Sequence, residues 1–289
     1  MSLEVHIRPL LTMDALRACE DVQSRVWGYR DREIVPAAQM RAALHAGALV
    51  AGAFVGREQV GFLYGFPAFA NEPGLRPLGL HSHMMAVVPE ARGLGLGRRL
   101  KWYQRRWCLE RGIDWVVWTF DPLQAGNARL NLEHLGVVVH EYHVDFYGVL
   151  GGVLSFELPT DRFVGLWRLE SARVAGRAGD DPFAAFYRVD GDAPSGRVAR
   201  GPGPDAVWAL ARDPVRDAPG AVTLGLEADA VWVAAPREIG RLRREERTDA
   251  LAWGEAFRAA SVDLAERGYE VRAFLDGAYR WSRRATQEE

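Results

Sequence analysis

Three glycines alternate with leucines where a predicted strand passes into a predicted helix. The stretch HMMAVVPEARGLGLGRRLK spans residues 83–101, and at its centre lie Arg92, Gly93, Leu94, Gly95, Leu96 and Gly97. Glycine lets backbone N–H groups point into a common space without side chains in the way. The first turn of the following helix adds partial positive charge, so the arrangement suits a phosphate or a pyrophosphate. Arg92, Arg98 and Arg99 supply formal charge beside it.

A dinucleotide site and a turn without any ligand are the alternatives for this stretch. A dinucleotide fold uses G-x-G-x-x-G at its first strand–helix turn, with an acidic residue closing the next strand. Asp121 does follow the next strand, but the glycines are spaced G-x-G-x-G and lie after several strands and two helices. A bare turn explains the glycines but not the strand before them or the basic helix after them. The pattern therefore favours a phosphate-binding loop of another kind over a dinucleotide site and over a turn without a ligand.

Apolar periodicity predicts the elements that would position this loop. EVHIRPL (4–10) alternates as a strand, and GALVAGAFVG with VGFLYGF predicts a hairpin. A helix is predicted between Thr12 and Gly28 and a shorter one after Pro36. Strands are predicted on both sides of the glycine–helix segment, at 80–88 and 113–120. The predicted fold class is α/β (α+β), with a mixed, mostly antiparallel twisted sheet flanked by helices.

The amino-acid composition changes in the second half of the sequence. Glycine, proline and aspartate are frequent near residues 170–205, which predicts a loop-rich linker. A long amphipathic helix, roughly Thr248 to Arg267, and the strand YEVRAFL follow it. These features predict a larger first domain over residues 1–155 and a smaller C-terminal α+β region over residues 156–289.

Composition excludes several classes of partner. The 289 residues are 48% hydrophobic, and 36 basic against 38 acidic residues give a formal charge of −2. A binder of nucleic acid or of a membrane surface would be expected to carry a basic excess, so neither partner is predicted. Two distant cysteines and the absence of a signal-like start indicate reduced thiols and a cytoplasmic location. Homo-oligomerisation is left open by the sequence.

The glycine stretch resembles the acyl-CoA loop of the GNAT acyltransferase superfamily. The family pattern R/Q-x-x-G-x-G/A is matched by RGLGLG (92–97), and the preceding strand end Met85-Ala86-Val87-Val88-Pro89-Glu90 is also similar. The resemblance covers roughly residues 4–150 and implies a GNAT-like fold. It implies that Met85, Ala86 and Val87 pair with pantetheine, that the loop and Arg98 hold the pyrophosphate, and that Asn127 contacts the coenzyme.

A narrower resemblance extends past the first domain. WTFDPL with NARLN (118–131) and LPTDRF (158–163) resemble a GNAT branch associated with N-succinyl amino-acid metabolism. The resemblance implies acetyl-CoA or succinyl-CoA as a co-substrate, no metal, and a small-molecule amine acceptor, with an amino acid as one candidate. The implied function is an N-acyltransferase. The alternative is a non-catalytic acyl-CoA-binding or regulatory protein on the same scaffold.

The catalytic groups are harder to assign. His81 and His83 lie two residues apart on one strand, so both face one side, and an imidazole suits the proton of an amine. His83 is the predicted base; a metal site with His81 or a structural role are the alternatives. Many GNAT members carry a tyrosine acid at the position that Leu132 occupies here. Tyr142 is the predicted replacement, Tyr147 is a second candidate, and a mechanism without an acid stays open.

Several charged residues have two interpretations. Lys101 is interpreted either as a phosphate contact or as an exposed helix residue. Arg162 is interpreted either as a residue that binds a carboxylate by bidentate pairing or as part of an ion pair between the two halves of the chain. Asp121 either ends a strand at a turn or orients the acceptor amine. The run RLRREER (241–247) predicts a solvated helix face.

Overall fold

The computed structural model describes residues 4–29, 31–148, 159–177 and 201–284. Its strands are β1 (Val5–Pro9), β2 (Leu49–Val55), β3 (Glu58–Phe69), β4 (Leu78–Val87), β5 (Trp115–Phe120), β6 (Val138–His143), β7 (Arg162–Arg168), β8 (Trp208–Arg212), β9 (Pro219–Val222), β10 (Ala230–Ala234), β11 (Tyr269–Leu275) and β12 (Ala278–Arg283). Its α-helices are α1 (Met13–Trp27), α2 (Ala37–His45), α3 (Leu96–Leu109), α4 (Ala125–Ala128), α5 (Ala172–Ala175), α6 (Ile239–Glu245) and α7 (Arg247–Glu266). A π-helical segment, Arg129–Leu135, directly follows α4.

The chain divides into two compact units. Among the described residues, the first unit contains those up to residue 118 and residues 167–177, and the second contains residues 119–148, 159–166 and 201–284. Strands β5 and β7 each run from one unit into the other. The boundary at 155 stays a prediction about separate domains. The predicted linker near 170–205 falls largely outside the described residues.

The first unit is a mixed sheet covered by helices. Its strand order is β1-β2-β3-β4-β5, antiparallel except for the parallel pair β4–β5. Helices α1, α2 and α3 contact these strands and bury a core that includes Leu16, Met40, Phe62 and Leu100. Thr12 caps α1, and Gly28, at φ +68°, ends it. The predicted helices and strands of this part are confirmed.

Among its described residues, the second unit combines seven strands with a long helix. Its strand order is β7-β6-β11-β12-β10-β8-β9, and only β8 and β10 pair in parallel. Helix α7 contacts strands β6, β8, β9, β10 and β11 and buries Trp253 and Phe257 against the sheet. The fold class is therefore mixed α/β with a mostly antiparallel sheet flanked by helices, as the sequence predicts. None of the helices in the described part of the chain has both the length and the apolar composition needed to cross a membrane.

Candidate functional site

The glycine loop leaves its backbone bare in front of helix α3. Strand β4 ends at Val87, a single 3₁₀ turn follows, and the chain then passes through Gly93 at φ +82° and Gly95 at φ +70°. These left-handed conformations are strained for any residue with a side chain. A Cβ atom placed on either glycine would meet nothing within 4 Å, so both face open space. The loop is a cradle that side chains would fill.

The electrostatics of this cradle favour an anion. Gly95 is the N-cap of α3 and offers no side chain to the first helical N–H groups, and the first turn contains no acidic residue. Those N–H groups have no partners inside the helix and carry the positive end of the helix dipole. Arg92 and Arg98 are both exposed beside the loop, whereas Leu96 is only 1% exposed and contributes its backbone alone. The structure thus brings the predicted residues 92–98 together at one helix start.

Strands β4 and β5 separate next to the loop. Their described pairing consists of Leu80 with Val116 and His81 with Val117. Beyond this point Met85, Ala86 and Val87 pair with β3 on the other side. An antiparallel strand directs its remaining backbone groups away from its partner, so this end of β4 presents an edge that an extended ligand can pair with. The residues that the resemblance assigns to pantetheine, Met85, Ala86 and Val87, lie on this edge.

A β-bulge in β4 lies at His83. The register between β3 and β4 shifts between the pairs Tyr64–Met84 and Gly65–Ser82, which leaves His83 as the extra residue. Bulges re-aim side chains and are frequent beside active sites. The His81 and His83 rings lie with centroids 6.1 Å apart, and both lie within 6 Å of the Phe66 ring. The two histidines therefore share one face, as their spacing predicts.

The two histidines differ in protonation. Burial, with the nearby charges of His83 and Lys101 as smaller causes, lowers the pKa of His81 to about 4. The His83 side chain is exposed to solvent, but the neighbouring rings remove water from part of it and lower its pKa from the usual value near 6.5. His83 is therefore neutral at pH 7 and reaches solvent, which is the state that a general base needs.

Lys101 is neither a phosphate contact nor an exposed helix residue. It is the chain's one lysine and is only 3% exposed. Its Nζ donates to Ser82 Oγ at 2.8 Å and to Gln104 Oε1 at 3.2 Å, and it lies 3.5 Å from the Trp118 ring centroid. Burial lowers the pKa of Lys101 to about 7, although the ring face favours the ammonium form. Both interpretations drawn from the sequence are wrong, because helix periodicity did not reveal the polar partner on β4.

Lys101 is expected to make stability depend on pH above neutrality. Its pKa is about 7 in the folded protein and 10.5 when unperturbed, so between these values the unfolded chain binds more protons. Relative to Lys101→Met, the wild type should therefore gain up to about 1.4 kcal/mol in free energy of unfolding per pH unit as pH rises from 7. Denaturant unfolding of both proteins at pH 7, 8 and 9 measures this. NMR titration of protein labelled only at lysine gives the pKa directly, and a midpoint near 10 would contradict the prediction.

Asn127 and Leu132, the positions that the resemblance associates with coenzyme contact and with the acid, lie in the second unit. Asn127 is exposed on α4, and Leu132 is 1% exposed on the π-helical segment. Leu132 is part of the buried core, and its side chain cannot replace the hydroxyl of the tyrosine that many GNAT members carry there. The role of Asn127 stays a prediction.

Tyr142 is held by a half-buried ion pair. Its hydroxyl donates to Asp161 Oδ2 at 2.5 Å, and Arg258 donates to the same carboxylate from Nε at 2.9 Å and from Nη2 at 2.6 Å. Burial and the neighbouring carboxylate raise the pKa of Tyr142 far above its usual range. An acid must release its proton, and this environment retains it. The geometry favours a structural role for Tyr142 over the predicted role as acid.

Tyr147 and Arg162, two further candidates from the sequence, both have partners in the structure. Tyr147 is 42% exposed, and its hydroxyl lies 2.9 Å from Thr119 Oγ1. Arg162 donates to the Asp161 carbonyl and places its guanidinium 5.3 Å from the Tyr147 ring centroid. Among the described residues no group of three candidate metal ligands includes His81 or His83.

A family model matches residues 15–136, which is less than half of the chain, and its description is Acetyltransferase (GNAT) family. Residues 15–136 match the GNAT acetyltransferases. The matched region contains β4, the glycine loop, α3 and β5, which together form the cradle described above. The resemblance to the GNAT superfamily is confirmed over this region, and the narrower branch with succinyl donors stays a prediction. No curated protein matches the chain in sequence.

Solved structures show a limited likeness at low identity. The ribosomal-protein-S18-alanine N-acetyltransferase from Escherichia coli is 15% identical with a TM-score of 0.45, over 58% of this chain and 96% of the other. The yncA protein from Salmonella typhimurium, solved with its cofactor acetyl-CoA, is 20% identical with a TM-score of 0.45, over 58% and 95%. An N-acetyltransferase from Staphylococcus aureus Mu50 is 10% identical with a TM-score of 0.45, over 58% and 99%.

Proposed function

We propose that the chain is an acyl-CoA-dependent N-acyltransferase, which moves an acetyl or a succinyl group from a coenzyme A thioester to the amine of a small acceptor. The observation that carries this proposal is the loop before α3. Two left-handed glycines face open space there, at the positive end of a helix and beside exposed arginines. The diphosphate of coenzyme A has the charge and the size for such a cradle.

The backbone edge of β4 supports the same donor. Met85, Ala86 and Val87 lie on the part of β4 beyond its described pairing with β5. Pantetheine carries two amide groups, which can pair with such an edge as a short extended strand does. A β4 backbone N–H beside the thioester would stabilise the negative charge that develops on its oxygen.

The proposed reaction forms one bond and breaks another. The amine nitrogen attacks the thioester carbonyl carbon, the C–N bond of an amide forms, and the C–S bond to coenzyme A breaks. His83 takes the proton that the attacking nitrogen loses. Coenzyme A leaves as a thiolate, which is a competent leaving group without a dedicated acid. Because Tyr142 retains its proton beside Asp161, it is not assigned to this step.

The donor and acceptor are proposed on the sequence resemblance. Succinyl-CoA and acetyl-CoA are the two proposed donors, and a free amino acid is the proposed acceptor. The second candidate function is a non-catalytic acyl-CoA-binding protein. It is favoured by Leu132, which is buried where many GNAT members carry their tyrosine acid.

Release of coenzyme A thiol tests the proposal. Acetyl-CoA and succinyl-CoA are each supplied with a panel of D- and L-amino acids and simple amines, with folded protein and no acceptor as the blank. Cys19 and Cys108 are both buried thiols, so the folded protein adds little background. Turnover with either donor supports the acyltransferase. Tight acyl-CoA binding without turnover on any acceptor supports the binding protein, and absence of acyl-CoA binding contradicts both.

A further inference from the structure

The second unit contains a cavity that the glycine loop does not explain. Its volume is about 110 Å³, and most of its wall lies outside the region matched by the family model. Helices α6 and α7, the segment after β5, strand β6 and residues before β7 supply the wall. The lining residues are Asp121, Pro122, Leu123, Tyr142, Pro159, Asp161, Arg243, Ala250, Leu251, Gly254, Glu255, Phe257 and Arg258.

Both arginines in this wall are already neutralised. Arg243 donates from Nη1 to Asp121 Oδ2 at 2.7 Å, and its side chain is only 9% exposed. Arg258 makes two hydrogen bonds to the Asp161 carboxylate. A guanidinium paired in this way contributes little net attraction for an anion, because a carboxylate already satisfies it. Arg243 is thus an exception within the 241–247 run, in which residues 244–247 are exposed as the sequence predicts.

Glu255 leaves the wall with an excess of one negative charge. It is exposed on α7, and its carboxylate has no ion pair or hydrogen bond within the described part of the chain. The three carboxylates of the wall thus face two guanidiniums. The rest of the wall is mostly apolar, with Leu123, Ala250 and Phe257 at most 7% exposed. This combination suits a small ligand with a positive group at the mouth and an apolar body inside.

Gly254 keeps the cavity open. It lies in the interior of the 20-residue helix α7, where glycine is less favourable than alanine by about 0.5–1 kcal/mol. A Cβ atom on Gly254 would meet nothing within 4 Å, so no close packing requires the glycine. Ala250, Phe257 and Arg258 line the cavity one turn before and after it, which places Gly254 in the middle of the same helix face.

We propose that this cavity is a binding site for a small primary amine. The ammonium group lies toward Glu255, and an aliphatic body of about four carbon atoms packs on Leu123, Ala250 and Phe257. A cavity of about 150 Å³ holds a benzene ring, so the volume here suits such a body. The charge class agrees with the amine acceptor of the proposed function, but binding at this cavity can be measured without turnover.

Three isosteric probes and an NMR titration test the site. Isobutylamine, isobutanol and isobutyrate are titrated separately into the full chain labelled with ¹⁵N-glycine, and the Gly254 signal is assigned by its loss in Gly254→Ala. Isobutylamine should shift this signal saturably and bind about threefold more tightly than isobutanol. Glu255→Gln should remove that advantage and leave isobutanol binding unchanged. Gly254→Leu should abolish binding of both, read by ligand-observed saturation-transfer NMR because this variant lacks the reporting glycine.

Two control variants on α7 distinguish an effect at the cavity from a general effect of substituting this helix. Glu266→Gln removes an exposed carboxylate from the same helix outside the wall, and Ala259→Leu adds an exposed side chain there; both should leave isobutylamine binding unchanged. Tighter binding of isobutyrate than of isobutylamine would overturn the proposal in favour of an anion site. Equal binding of amine and alcohol, or no saturable shift for any probe, would also overturn it. Acetyl-CoA affinity measured on the same samples reports the donor function separately.

Discussion

Gly95→Trp is expected to weaken acetyl-CoA binding about 100-fold, which corresponds to about 2.7 kcal/mol. Gly95 precedes the first turn of α3 and faces open space, so an indole there would occupy the place proposed for the pyrophosphate. It would also separate the ligand from the helix N–H groups that we expect to bind it. Titration calorimetry with acetyl-CoA and with succinyl-CoA measures the loss for both proposed donors.

Gly112→Trp is the matched control for this variant. Gly112 has φ +71° against +70° at Gly95, and its Cβ would also meet nothing within 4 Å. The backbone strain is therefore equal, at roughly 1–2 kcal/mol, but Gly112 lies after the other end of α3. The control should bind acetyl-CoA like the wild type. Thermal unfolding checks that both variants are folded. If so, equal affinities of the two variants for acetyl-CoA would show that the loop does not bind the donor.

The loop could be predicted from sequence because its cause is local. Positive φ at Gly93 and Gly95 and an uncapped helix start follow from residues within one turn of each other. The strands and helices around it follow from apolar periodicity in the same way. His81 and His83 could also be placed on one face, since two residues on a strand share a side. Even the bulge at His83 left that expectation intact.

The burial of charged residues could not be predicted in the same way. Lys101 has a helical position like any exposed lysine, and its burial depends on tertiary packing, which places Ser82 and the Trp118 ring beside it. Asp121 and Arg243 are 122 residues apart, and Asp161 and Arg258 are 97 apart. No periodicity connects such partners, because the register of sheet and helix packing decides which charges meet. One signal was available: a single lysine among 36 basic residues suggests a special environment.

His83→Gln is expected to lower kcat about 100-fold and to leave acetyl-CoA affinity within twofold of the wild type. A positioned general base contributes about 10²–10⁴-fold to rate, and the substitution removes that base without touching the glycine loop. The lowered pKa of His83 keeps it neutral at pH 7, so kcat of the wild type, measured at a saturating acceptor concentration, should show an acidic limb as the pH falls below neutrality. The variant should lack this acidic limb, because no imidazole remains at the bulge to be protonated.

His81→Gln controls for any change in the aromatic surroundings of the strand. His81 stacks on the same Phe66 ring, at a centroid distance of 5.1 Å, but its pKa of about 4 makes it a poor acceptor of a proton near neutral pH. Its variant should keep kcat within about fivefold and retain the acidic limb. If His83→Gln kept both its rate and its acidic limb, His83 would not be the base. A proton acceptor supplied by solvent or by the substrate would then have to replace it, and the bulge would be only a structural device that separates β4 from β5.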